Sequence, residues 1–120
     1  MLVLGGMSSA SAQSRIYVEA SELTLLGKIL ESTPNPYHRV DTTLYKGFTK
    51  SENSQVRMSS GISVVFTTDS PTITIKAVYG HTVYPENTNG FSARGFDLYI
   101  RQDDRWLFAG AGTCNPKNPD

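Results

Sequence analysis

Gly95-Phe96-Asp97-Leu98-Tyr99-Ile100-Arg101 leads through Gln102-Asp103-Asp104 to Arg105-Trp106. Side chains alternate between the two faces of a strand, so Phe96, Leu98 and Ile100 fall on one face and Asp97, Tyr99 and Arg101 on the other. The polar triplet is a turn by composition, and the chain past it is apolar again. Residues 96–101 and 105–109 therefore read as an antiparallel hairpin.

Working outward, the same period of two recurs upstream. Ile62, Val64 and Phe66 alternate with Ser63, Val65 and Thr67, and Ile73, Ile75, Ala77 and Tyr79 with Thr72, Thr74 and Lys76. Thr68-Asp69-Ser70-Pro71 between them carries turn chemistry, which predicts a second hairpin. Tyr37 to Asp41 and Gln55 to Met58 are shorter strand candidates. Leu23, Leu25, Leu26 and Ile29 fit either a helical turn or a strand ending at Gly27, and the surrounding pattern favours the strand. Thr33-Pro34-Asn35-Pro36 continues neither element, because proline has no N–H to donate. Gly80 to Arg94 is a long loop of about fifteen residues, a length that marks function or disorder. Short strands with closely spaced turns predict an all-β sandwich.

At 120 residues with 11 basic and 11 acidic side chains, the chain is one formally neutral domain. That balance lacks the basic stripe of a nucleic-acid binder, and no apolar stretch approaches the roughly 20 residues of a membrane span. The single Cys114 excludes an internal disulfide and reads as a free thiol. Ala10-Ser11-Ala12 followed by Gln13 fits a signal-peptidase site without its basic n-region; residues 1–12 read as a partial signal peptide, or else as a plain leader. The first reading places the protein outside the cytoplasm.

Gly95-x-Asp97-Leu98-Tyr99 resembles the signature of the Gly-x-Asp-Leu-Tyr domain, the N-terminal module of secreted bacterial SGNH-type esterases. Tyr37-His38-Arg39-Val40-Asp41, the stretch Ser60 to Ser70 and Ile73-Thr74-Ile75 resemble that family in the same order. The resemblance implies a jelly-roll-like antiparallel β-sandwich over residues 13–112, with 113–120 as tail or linker start. It also implies that one or two closing strands lie beyond Asp120. The partner it implies is an SGNH catalytic domain linked in the same polypeptide, acting on an acylated substrate such as a carbohydrate ester.

Catalytic chemistry is not legible in this chain. Gly90-Phe91-Ser92-Ala93-Arg94-Gly95 approximates a nucleophile elbow, but its last glycine comes one residue late and it precedes a strand rather than following one. Asp69-Ser70 lacks the glycine of a Gly-Asp-Ser block, and no histidine follows His81 to supply an Asp-x-x-His pair. His81 with Glu86 is too sparse for a metal, His38 reads as a strand residue, and no cofactor motif occurs. Four residues remain as candidates for a ligand or domain interface: Arg94, Asp97, Tyr99 and Trp106. Tyr99 and Trp106 belong to a C-terminal group of aromatics with Tyr79, Tyr84 and Phe91 that could stack sugar rings or fill a core. Asp97 could brace the amides of the preceding loop, pair with Arg39, Arg57 or Arg94, or stay solvated. A free-standing carbohydrate-binding module is the competing reading.

Overall fold

The computed structural model describes residues 15–80 and 86–114; the leader, most of the tail, His81 and Tyr84 lie outside them. The chain divides into two compact units, Met1–Thr68 and Asp69–Asp120. Each contains one two-stranded antiparallel sheet, so the fold is β-rich.

In the N-terminal unit a 3-10 turn, Ala20–Glu22, leads into β1, Thr24–Leu26. β1 pairs with β2, Ser63–Val65, placing Leu25 opposite Val64. The strand expected before Gly27 is thus present. Gly27 stands just past it with φ +87°, and a Cβ there would lie 2.0 Å from the Gly61 carbonyl oxygen. Only glycine tolerates both the left-handed backbone and that approach.

Two strand expectations in this unit are overturned. Gln55 to Met58 belongs to α1, Lys50–Val56, and to the turn that ends it. Thr49 and Glu52 form a reciprocal capping box at its start, satisfying two backbone N–H groups that a strand would have had to pair elsewhere. Tyr37 to Asp41 forms no strand either. Asn35 Oδ1 accepts the Tyr37 N–H at 2.9 Å, and Asp41 Oδ1 accepts those of Thr43 and Leu44 at 2.9 and 3.3 Å. Such short polar side chains offer the backbone a local alternative to a ladder.

The predicted hairpin of 62–66 with 72–79 is also corrected. β2 takes β1 as its partner, and residues 72–80 form no strand. The Ser70 hydroxyl donates to the Thr72 carbonyl at 2.8 Å and accepts the Thr72 N–H at 3.4 Å. Both backbone groups of the first residue expected to pair are thereby occupied. Alternation defines the two faces of a segment but does not choose its partner.

The C-terminal unit holds α2, Gly90–Arg94, running directly into β3, Gly95–Gln102, which pairs with β4, Arg105–Thr113. This is the hairpin the sequence predicts, extended by four residues at its far end. Asp103 and Asp104 have φ of 49° and 59°, the two positive values of a type I′ turn, whose twist matches the flanking strands. Leu98 stands opposite Gly110 and Tyr99 opposite Phe108, which leaves Ala109 as the extra residue of a β-bulge.

Candidate functional site

The signature glycine has a steric explanation. Gly95 caps α2, donating its N–H to the Phe91 carbonyl, and its φ of −74° is open to any residue. A Cβ on Gly95, however, would meet the Phe91 oxygen at 2.3 Å. Helix and strand can join without a linker only because nothing projects there. At the other end of α2, Asn89 Oδ1 accepts the Ser92 N–H at 2.9 Å.

Arg94 is the only buried residue among those described, 7% exposed, and no apolar side chain is fully buried among them. Its carbonyl accepts the Tyr79 hydroxyl at 3.1 Å, and its guanidinium lies 5.6 Å from the centre of the Tyr79 ring. That contact combines ring packing with cation–π attraction. Burial pushes the Tyr79 phenol up from its ordinary pKa, with the neighbouring Cys114 adding to the shift. The Cys114 thiol in turn donates to the Ile75 carbonyl at 3.5 Å. Arg94 is thus a packing element inside this unit rather than part of its open face.

Residues paired across a ladder share a face. Asp97 opposite Ala111, Tyr99 opposite Phe108 and Arg101 opposite Trp106 therefore make one face, and Leu98 opposite Gly110 and Ile100 opposite Leu107 the other. The bulge sets this pattern, since it brings Ala111 rather than Gly110 opposite Asp97. Tyr99, Trp106 and Phe108 are 50%, 53% and 61% exposed. The Tyr99 and Phe108 rings meet edge to face, centroids 5.7 Å apart. The opposite face is open as well, since Leu98, Ile100 and Leu107 are each more than a third exposed.

The Asp97 side chain is exposed and makes no hydrogen bond or ion pair among the described residues, so none of the bracing contacts considered for it is formed there. Arg101 pairs instead with Asp104 across the turn at 2.9 Å, an exposed pair of small energetic weight. Ser92 lies in α2 ahead of a strand, the reverse of the strand–turn–helix order of a nucleophile elbow. Among the described residues no group of three His, Cys, Asp or Glu side chains could hold a metal ion. No helix among them is long and apolar enough to cross a membrane.

In the N-terminal unit the Tyr37-His38-Arg39-Val40-Asp41 segment organises the chain around α1. Arg39 donates from Nε to the Met58 carbonyl at 2.9 Å and from its terminal nitrogen to that of Gln55 at 2.7 Å. One guanidinium thereby ties the last turn of the helix to the turn that follows it. The Tyr37 hydroxyl donates to Glu19 and accepts the Ser21 N–H at 3.1 Å. Burial raises the Tyr37 pKa, reinforced by the Glu19 carboxylate. Thr49-x-x-Glu52 was the available clue to these roles: once it is read as a helix start, Arg39 stands near a helix end.

The family model of the GxDLY domain, the N-terminus of SGNH-hydrolase-type esterases, matches residues 15–118. The chain belongs to this family. Neither the curated proteins nor the solved structures compared with it give a match. The GxDLY signature thus falls at the α2–β3 junction and along one face of the hairpin. Its glycine admits the helix carbonyl, its leucine lies on one face, and its aspartate and tyrosine lie on the other.

Proposed function

We propose that this GxDLY domain is a non-catalytic accessory module of an exported SGNH-type esterase, packing on the linked catalytic domain and shaping access of an acylated carbohydrate substrate. Membership of a family defined as the N-terminus of such esterases carries the reading. The hairpin supports it, because a strand pair with apolar side chains open on both faces is suited to burial against a neighbouring domain. In that setting the domain would be a jelly-roll-like sandwich, and the mature chain would begin at Gln13 after export.

The test compares an esterase polypeptide carrying this module with the same polypeptide lacking residues 15–118. Deletion is expected to lower kcat/KM on an acetylated polysaccharide by about tenfold or more while leaving p-nitrophenyl acetate hydrolysis within about twofold. Equal activity of both forms on the polymer would remove the access role. The isolated chain is expected to show no turnover of p-nitrophenyl acetate, and saturable turnover lost on Ser92→Ala or Ser70→Ala would make it an enzyme in its own right. Mass spectrometry of the native protein checks the Gln13 terminus, and retention of residues 1–12 would refute it.

Exposure of Tyr99, Trp106 and Phe108 on one face favours a second reading, a carbohydrate-binding module that stacks sugar rings. Glycan-array binding by the isolated chain, abolished by Trp106→Ala, would support that reading over the first.

A further inference from the structure

In the N-terminal unit, Lys50, Asn53 and Arg57 stand at i, i+3 and i+7 along α1 and its C-cap, and so share one side of the helix. With Thr42 they line a depression of about 440 Å3. Arg57 and Thr42 are shared with an adjoining depression of about 270 Å3 that reaches His38 and Asp41.

Among the described residues the two cations on this side of α1 have no carboxylate partner. Asp41 Oδ1 is occupied by Thr43 and Leu44, and Glu52 Oε2 by the Thr49 N–H and hydroxyl, each at 2.7 Å. Neither carboxylate forms an ion pair with a lysine or arginine among the described residues, although the Lys46 charge helps to lower the Asp41 pKa. Lys28 is spent on the Thr33 hydroxyl and the Pro36 carbonyl. The Lys50 side chain makes no hydrogen bond or ion pair among the described residues, and Arg57 uses only its Nε, on the Asn53 carbonyl at 2.8 Å. The terminal nitrogens of Arg57 therefore have no protein acceptor among those residues. Burial lowers the His38 pKa first, and the charges of Arg57 and Lys28 lower it further.

We propose that the depression lined by Thr42, Lys50, Asn53 and Arg57 binds an oxyanion: a carboxylate, phosphate or sulfate group, free or carried on a saccharide. Arg57 offers a planar fork that matches two oxygens of such a group, Lys50 a compact charge, and Thr42 a hydroxyl donor. A neutral ligand would draw on neither positive charge. Nucleic acid is a poor fit, because no aromatic side chain lines the depression and the chain as a whole carries no excess positive charge. This site is in the other unit from the aromatic face and does not depend on the esterase reading.

The test is an NMR titration of the full 15N-labelled chain at fixed ionic strength. The probes are sodium sulfate, sodium phosphate, sodium acetate and sodium glucuronate, with glucose as the neutral control. At least one anion is expected to give saturable shifts confined to Thr42, Lys50, Asn53, Arg57 and their neighbours, and glucose none. Tighter binding of glucuronate than of acetate assigns the group to a saccharide, whereas preference for sulfate or phosphate assigns a tetrahedral anion. Arg57→Gln should weaken binding about tenfold, and Arg57→Lys, which keeps charge but loses the fork, by less. Lys50→Gln provides a variant with no protein hydrogen bond to lose, and it too must weaken binding. Arg105→Gln, in the other unit, must not. Small linear shifts at every cation, or identical titrations of wild type, Arg57→Gln and Lys50→Gln, would overturn the site.

Discussion

The N-terminal unit joins β1 to β2 through three residue pairs, whereas the C-terminal unit joins β3 to β4 through eight. Around its short ladder the first unit relies on side chains that bond to backbone: Arg39 at the end of α1, Thr49 at its start, and Asn35 and Asp41 in turns. The second relies on the ladder itself, a two-residue turn and a glycine at a helix–strand junction. Sequence separation explains part of this contrast. Closing a two-residue loop costs little chain entropy, while β1 and β2 must meet across a much longer segment that α1 and its caps hold in shape. Long-range pairing in one unit thus needs local bonding, and local pairing in the other does not.

The largest effect expected is at the end of that long-range pair. Gly27→Ala introduces a left-handed alanine and drives its Cβ against the Gly61 oxygen, for a cost of about 2–5 kcal/mol. Gly61 also has positive φ, +83°, but faces open space, so Gly61→Ala should cost only about 1–2 kcal/mol. Chemical denaturation of both variants measures the difference. Equal costs would mean that conformation alone, and not the close approach, ends the ladder.

Within the hairpin the corresponding contrast is purely steric. Gly95→Ala must displace the Phe91 carbonyl and should cost about 1–3 kcal/mol, with hydrogen exchange rising first in α2. A Cβ at Gly110 or Gly112 meets nothing within 4 Å, so alanine at either should be neutral or slightly stabilising. If Gly95→Ala were equally tolerated, close packing would not account for the signature glycine.

Arginines provide a third comparison. Arg39→Gln loses two charge-assisted bonds to backbone carbonyls and should destabilise the first unit by about 1–2 kcal/mol, less than a fully buried case because the bonds are near solvent. Arg101→Gln breaks only the exposed pair with Asp104 and should cost well under about 1 kcal/mol. Unfolding midpoints that move equally would show that α1 does not depend on the guanidinium.

This contrast also governs what could be read from the amino-acid order. The β3–β4 hairpin was legible because its strands adjoin a polar turn, so alternation and partner are specified within one short segment. The 62–66 and 72–79 segments alternate as cleanly, yet the Ser70 hydroxyl occupies Thr72 and β2 pairs with a strand far upstream. α1 was missed although Thr49-x-x-Glu52 announces a helix start, because the short stretch after it carries no apolar stripe. Of the candidate residues, Tyr99 and Trp106 do share an open face. Arg94 is turned inward onto Tyr79, a placement that no period of two conveys because it depends on a five-residue helix.

Acidification should separate the units with the smallest but most selective effect. Hydrogen bonds from Thr43 hold the Asp41 carboxyl below its ordinary pKa of 3.8, and bonds from Thr49 hold Glu52 below 4.5. For a carboxylate lowered by folding, the unfolded chain binds more protons as pH falls, so stability present above the ordinary value is lost below it. His38 acts in the same direction at higher pH. Its folded pKa lies below 6.5, chiefly through burial, so protons bind the unfolded chain first as pH falls through 6.5. The first unit should therefore weaken in two stages, a shallow one beginning near pH 6.5 and a second below about pH 4.5. The β3–β4 ladder is made of backbone bonds, which do not titrate. Hydrogen exchange between pH 7 and about 3, corrected for intrinsic rates, should show protection falling in α1 before it falls in β3. Thr43→Val should reduce the lower stage by removing the hydroxyl bond to Asp41, and His38→Gln should remove the upper one. Simultaneous loss in both units would show that they unfold as one and that the division at Thr68 has no thermodynamic counterpart.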